Sequence, residues 1–329
     1  MALAAIDRRA TRKRDDMNTI TIGIVGTGVI GSYHIDKCLR HQHVNLTGVF
    51  DADAQRGQAA ADKFGVNCVR SLDELLEKAD AVIVAAPASA HTAIVEPCLL
   101  AGKHVLVEKP LADSYAAGRR LVDLAARKRR VMHVGHSEAF NPAFLRLVAL
   151  KPKPRFIEIH RLAAFSPRGT DVPVVLDLMV HDLHLIARLC NEEPVYSAIA
   201  ATGVPVISKD IDIANIRLSF PSGCIANVTA SRISTKKMRK LRLFQKDNYY
   251  SVDLDKKEFV HCYLTAAKPG SHPVAQTREV LPETDALAAE LDAFVQAIAG
   301  NGSANATSGN EALRVLRMTD AIMDRLKAV

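Results

Sequence analysis

A chain of 329 residues has room for about two domains, each with its own core. With 48% hydrophobic and 24% charged residues it reads as globular, and its longest apolar run, around 81–86, is far short of the roughly 18 residues of a membrane span. The formal charge of +7 comes partly from the first sixteen residues, and the rest is too dispersed to demand a nucleic-acid partner. The six cysteines form no C-x-x-C pair, so they read as reduced thiols of a cytoplasmic protein.

Residues 1–17 read as a basic extension, disordered or preceding a start at Met17. A β-branched strand over 19–25 then runs into Gly26-Thr27-Gly28-Val29-Ile30-Gly31, and a helix follows to about Arg40. The alternation continues with a strand at 44–51, a helix at 54–64, a short strand at 66–69 and a helix at 72–78, which Ser71 and Glu74 open as a capping box. A buried strand at 81–85, a helix at 90–101 and a strand at 104–107 come next. This last strand, the fifth in that count, stops at Glu108-Lys109-Pro110, before a helix at 111–129 and a strand at 131–135. Strands alternating with helices predict a doubly wound parallel sheet, an α/β domain of the Rossmann type over 18–137.

The rhythm changes beyond Gly135. A helix at 142–150 ends at Lys151-Pro152-Lys153-Pro154, and a strand at 155–164 precedes one helix at 174–190. Strands follow at 195–204, 211–220, 224–233, 237–245 and 249–253, with Pro221-Ser222-Gly223 as a hairpin turn. A surface loop at 269–273 and helices at 284–299 and 310–326 complete the chain. This predicts an α+β domain over 138–329 with an open, mostly antiparallel sheet, whose uncovered face would serve a homodimer or homotetramer.

The glycine motif gains its meaning from context. It follows a strand, opens a helix, and precedes Asp51 at the end of the next strand by twenty residues. Gly26 permits the turn, Gly28 admits a pyrophosphate, Gly31 allows close packing, and the helix N-terminus offers amides to phosphate. Asp51 would take the ribose hydroxyls and repel a 2′-phosphate, favouring NAD, while Arg56 keeps NADP open. Lys109, at the carboxyl end of its strand, could donate to an oxygen whose charge changes during hydride transfer.

Asp177 and His181 stand four apart, so a carboxylate could orient an imidazole as a proton acceptor. An ordinary surface pair has the same spacing. Asp177, His181 and His184 could also supply metal ligands, but no second histidine-rich segment accompanies them, and no metal is expected. Arg161 and Arg168 precede the 174–190 helix and could recognise phosphate or carboxylate, or pair with acids such as Asp171. Alternation over 236–242 sets Lys236, Lys240 and Arg242 on one face and Lys237 and Arg239 on the other. One face could hold a diphosphate; otherwise the strand faces solvent or a second subunit.

Taken in order, the glycine motif, Asp51, Ala86-Pro87 with His91, Glu108-Lys109-Pro110 and Asp177-x-x-x-His181-Asp182 resemble the Gfo/Idh/MocA oxidoreductase family. The resemblance runs from about residue 18 to 326. It implies that Lys109 and His181 act at the reacting carbinol with Asp177 close by, and that Ala86, Pro87, His91 and Glu108 line the nicotinamide side of the cofactor. The stretch His136-Ser137-Glu138-Ala139-Phe140-Asn141-Pro142, with 160–171, is similar to members acting on UDP-N-acetylglucosamine. Asn141, Arg161 and Arg168 thereby join Lys109, Asp177 and His181 as substrate-binding candidates. The leading expectation is NAD-dependent oxidation of the 3-hydroxyl of a nucleotide sugar. The alternatives are a dehydrogenase of a free sugar, inositol or polyol, and a non-catalytic NAD-binding sensor or scaffold.

Overall fold

A computed structural model describes residues 18–166, 172–265, 273–302 and 305–327. The N-terminal extension, Arg168 and most of the 269–273 loop lie outside these residues. The chain separates into two compact units: Met1–Asp113, Arg119–Gly135 and Leu287–Ala306 form the first, and Ser114–Gly118, His136–Ala286 and Thr307–Val329 the second.

The first unit is built on a five-stranded parallel sheet of β1 (Ile20–Val25), β2 (Val44–Phe50), β3 (Ala81–Val84), β4 (His104–Glu108) and β5 (Met132–Gly135), in the order β2-β1-β3-β4-β5. β3 is buried along its whole length, as the apolar run Ala-Val-Ile-Val requires of a strand covered on both faces. Helices α1 (Val29–Arg40), α2 (Ala54–Phe64), α3 (Leu72–Lys78), α4 (His91–Leu100) and α5 (Tyr115–Lys128) connect the strands. Ser71 caps α3 by accepting from the Glu74 amide at 3.1 Å, as its sequence predicts.

Three expectations need correction here. Residues 66–69 are no strand: Gly65 turns the chain at φ 68°, and only a single bridge between Val49 and Cys68 joins this stretch to the sheet. The strand leading to Lys109 is therefore the fourth, and the one leading to Ala86 the third. The helix expected from 111 begins at Tyr115, with buried Leu111 and Ala112 in irregular chain before it. Finally, Leu287–Ala306, assigned by sequence to the second domain, belongs to the first unit. Within it Leu291, Phe294 and Val295 of helix α8 (Ala286–Ile298) share an apolar core with Ile22, Ile24, Ile83 and Leu106.

The second unit carries an eight-stranded sheet. Its strands are β6 (Phe156–Leu162), β7 (Ala200–Val204), β8 (Ile213–Ser219), β9 (Ile225–Ser231), β10 (Met238–Gln245), β11 (Asn248–Asp253), β12 (Glu258–Leu264) and β13 (Val274–Val280). They run in the order β13-β12-β11-β10-β6-β9-β8-β7, antiparallel throughout except where β6 and β9 pair in parallel. Burial alternates along β8 and β9, so one face is apolar. Residues of α6 (Pro142–Ala149), α7 (Val180–Cys190) and α9 (Gly309–Lys327) share that core, including Phe144, Ile186 and Met318. The sequence reading missed β12 and β13. Most of β13, Val-Ala-Gln-Thr-Arg-Glu-Val, is exposed at the sheet edge, which removes the buried-face alternation that marks a strand. The single helix expected over 174–190 is a π-helical turn, Val175–Met179, that passes into α7.

Candidate active site

In the first unit the candidate residues gather at the carboxyl ends of β1 to β4, where open α/β sheets bind ligands. Gly26 sits at φ 91°, and a Cβ there would come within 2.7 Å of the Ala85 and Ala86 backbone. A Cβ on Gly31 would stand 1.9 Å from the Gly26 carbonyl oxygen, so the helix packs against the turn only through glycine. Gly28 is different: a Cβ there meets nothing within 4 Å, so the space beside this residue is open. No side chain caps the N-terminus of α1 at Gly28, which leaves its first amides for a ligand, and the neighbouring Val29, Ile30 and Tyr33 are exposed. Open space and uncapped amides at a helix N-terminus fit the pyrophosphate of a dinucleotide.

Asp51, at the end of β2, is brought to this turn as expected. Its Oδ2 accepts from the Thr27 amide and hydroxyl, both at 2.8 Å, and from Arg56 Nε at 2.9 Å. Its Oδ1 accepts from the Asp53 amide at 2.9 Å and from Arg56 Nη2 at 2.6 Å. Burial opposes the charge, but the Arg56 guanidinium and the Thr27 and Asp53 donors hold the carboxyl well below the usual range. Arg56 thus bonds both carboxylate oxygens of Asp51.

At the ends of β3 and β4, buried His91 points Nδ1 at the Pro110 carbonyl (2.7 Å) and Nε2 at the Ala86 carbonyl (3.0 Å), tying the two loops together. A neutral imidazole donates to only one of them, and burial lowers the affinity of His91 for a second proton. Lys109 leaves β4 directly, half-buried and joined to Pro110 by a cis peptide bond. Glu108 beside it is set by a residue the sequence reading missed: buried His34 of α1 meets Glu108 Oε1 at 2.9 Å. Gly135 supplies the room, since a Cβ there would lie 2.9 Å from the Glu108 carboxyl. The available signal was a histidine three residues beyond Gly31, on the side of α1 that turns inward.

The second unit holds the other candidates. Asp177 lies in the π-helical turn and His181 at the start of α7, both half-buried. Such turns are frequent at functional sites. Next to His181, fully buried Asp182 receives Arg161 in a fork, Nε at 2.9–3.0 Å and Nη2 at 2.9 Å. Arg161 Nη1 also donates to Glu138 at 3.2 Å, and Glu138 accepts from Arg239 at 3.3 Å. Burial works against the Arg161 charge; Asp182 and Glu138 outweigh it and raise its pKa.

This corrects the reading of Arg161 as a substrate cation. With its side chain 4% exposed and bonded inside the unit, it anchors the helix that carries His181. Asn141 caps α6 by accepting from the Ala143 amide at 3.1 Å and donates to the Leu254 carbonyl at 2.8 Å. It nonetheless lies on the wall of a cavity of about 230 Å³, with Ser137, Glu138, Arg239, Asp255 and Lys257. Lys240 and Arg242 are on the other face of β10, where Arg242 pairs with Glu158 at 2.7 Å.

Two further imidazoles, one of them the His184 considered as a metal ligand, form a stacked group beside His181. His136 stacks on His184 with centroids 4.2 Å apart and meets His181 edge-on at 6.4 Å. His184 Nε2 reaches the Thr307 hydroxyl at 3.0 Å, and burial, reinforced by His136, drives its pKa far down, leaving a neutral ring. Among the described residues no cluster of three or more His, Cys, Asp or Glu side chains is arranged to hold a metal, and no helix is long and apolar enough to cross a membrane.

A glycine-hinged phosphate cradle on a parallel sheet, with a lysine at a strand end, belongs to the dinucleotide-dependent oxidoreductases. Residues 20–136 match the family model described as an oxidoreductase family with an NAD-binding Rossmann fold. The chain belongs to that family, Gfo/Idh/MocA, and is an oxidoreductase. Its sequence is 35% identical over 283 residues to UDP-N-acetylglucosamine 3-dehydrogenase of Acidithiobacillus ferrooxidans, covering 85% of this chain and 88% of that one. The inositol 2-dehydrogenase of Rhizobium meliloti is 26% identical over 320 residues, covering 92% of this chain and 96% of the relative. A crystal form of the Acidithiobacillus enzyme superposes with a TM-score of 0.88 at 33% identity, covering 95% of this chain and 99% of that one. The fold is also shared, at 21% identity and a TM-score of 0.79 over 94% of this chain and 95% of the other, with GenD2 from gentamicin A biosynthesis, solved in complex with NAD.

Proposed function

We propose that the protein oxidises the 3-hydroxyl of UDP-N-acetylglucosamine, or of a related nucleotide sugar, to a ketone with NAD. The observation that carries this reading is the extent of the likeness to the Acidithiobacillus enzyme, which at 35% identity spans 85% of this chain and so includes much of the second unit, where substrates are told apart. A bound nicotinamide would supply the hydride acceptor. His181 takes the hydroxyl proton, with Asp177 orienting it, and Lys109 donates to the oxygen as it becomes a carbonyl. Gly26–Gly31 hold the pyrophosphate, Asp51 favours NAD over NADP, and Asn141 contributes to the sugar site.

The protein acts as a homodimer or homotetramer through the uncovered face of the second unit's sheet. The aromatic row Phe156, Phe244 and Tyr249 on that face, with centroids 5.6 and 4.7 Å apart, supports this.

Initial rates of NADH formation test the assignment. UDP-N-acetylglucosamine should exceed myo-inositol in kcat/KM by at least about 100-fold, because a site that hydrogen-bonds groups the competitor lacks can discriminate by roughly 10⁴–10⁵. Preference for myo-inositol would move the chain to the polyol reading, which the Rhizobium relative supports.

A further inference from the structure

We infer that the second unit carries a separate binding site for a small phosphoanhydride, such as a nucleoside diphosphate or pyrophosphate. The site is a cavity of about 720 Å³ lined by Lys151, Lys153, Arg155 and Lys246, with Cys190, Ser222 and Gln245 among its remaining walls. That volume is within the range of small-molecule sites, roughly 300–1,000 Å³. No carboxylate lines it, and none of the four cations forms an ion pair among the described residues.

Lys236, Lys240 and Lys256 of the same unit also form no ion pair among the described residues, so what sets these four cations apart is that they line a single cavity. Arg146, Arg161, Lys237, Arg239, Arg242, Lys257, Arg278 and Arg314 each have a carboxylate partner. Two features nearby call for some positive charge. The C-terminal end of α7 carries about half a negative charge, and Glu192 bonds the Ser222 hydroxyl. Four cations exceed both, leaving an excess of about two and a half positive charges for a ligand to balance. A diphosphate matches that excess, and Arg155 adds the planar fork suited to phosphate oxygens.

The cavity is distinct from the candidate active site. It adjoins the start of β6 and the end of α7, whereas Arg161 and His181 lie toward the opposite end of each element.

Isothermal titration with inorganic pyrophosphate at low salt tests the inference. One saturable site per chain is expected on the cavity, weakened at least about tenfold in the variant Lys151→Gln/Lys153→Gln/Arg155→Gln/Lys246→Gln and falling as salt screens the charges. The variant should keep the wild-type KM for UDP-N-acetylglucosamine; if that nucleotide sugar is not a substrate, the pyrophosphate result is unaffected. Should the quadruple variant misfold, Lys151→Gln and Lys246→Gln alone must each weaken binding. Pyrophosphate binding that these substitutions leave unchanged, no saturable binding, or binding only to an RNA homopolymer would overturn the inference.

Discussion

The two units build their candidate sites from different materials. In the first, position is dictated by backbone: glycines that tolerate no Cβ, uncapped amides and one carboxylate held by near neighbours. In the second, buried charges and stacked imidazoles drawn from distant segments fix the helix that bears His181. The first kind of site fails through sterics, the second through stranded charge.

The largest effect is expected from Gly31→Ala, whose Cβ would fall 1.9 Å from the Gly26 carbonyl oxygen. It should cost roughly 4 kcal/mol or more in denaturant unfolding. Gly28→Ala, with nothing within 4 Å, should leave folding within about 1 kcal/mol yet weaken NAD binding. Equal stability of the two variants would contradict the steric account of the first unit.

Arg161→Met strands Asp182 and Glu138 in the second unit, and should lower stability by about 3–5 kcal/mol. Adding Asp182→Asn and Glu138→Gln should restore a large part of that loss. If the single change were harmless, the buried network would not be what holds α7.

Acid should act more gently. His133 of β5 packs against Phe294 at 5.6 Å, and burial depresses its pKa to about 4. Between that value and the unfolded value of about 6.5 the unfolded chain binds more protons, so this contribution is complete above about pH 6.5 and is lost as pH falls toward 4. This contribution is on the order of 3 kcal/mol. Melting temperatures of His133→Phe should therefore decline less over this range than those of the wild type; parallel curves would remove His133 as a cause.

Legibility followed the same division. The glycine motif, Asp51 and Lys109 could be read because each sits at a strand end fixed by local pattern. The 66–69 segment misled because its apolar residues imitate a strand that pairs through a single bridge. Arg161 was misread because its partners, Asp182 and Glu138, are 21 and 23 residues away and only the fold brings them together. His136 and His184 can be noticed separately, but their stacking and the bond to Thr307 cannot be foreseen, since the grouping depends on three separated segments. The turn before α7 was anticipated as plain helix, as nothing in Val-Leu-Asp-Leu-Met announces a π-helical turn.

In the proposed mechanism the first unit holds the cofactor by its backbone, while Lys109 serves the chemistry. Lys109→Ala separates these directly, by titrating NAD into the variant and measuring its turnover of UDP-N-acetylglucosamine. If Lys109 acts in this way, NAD affinity should stay within about threefold of wild type and kcat should fall by about 100-fold or more. Turnover near the wild-type rate would contradict it.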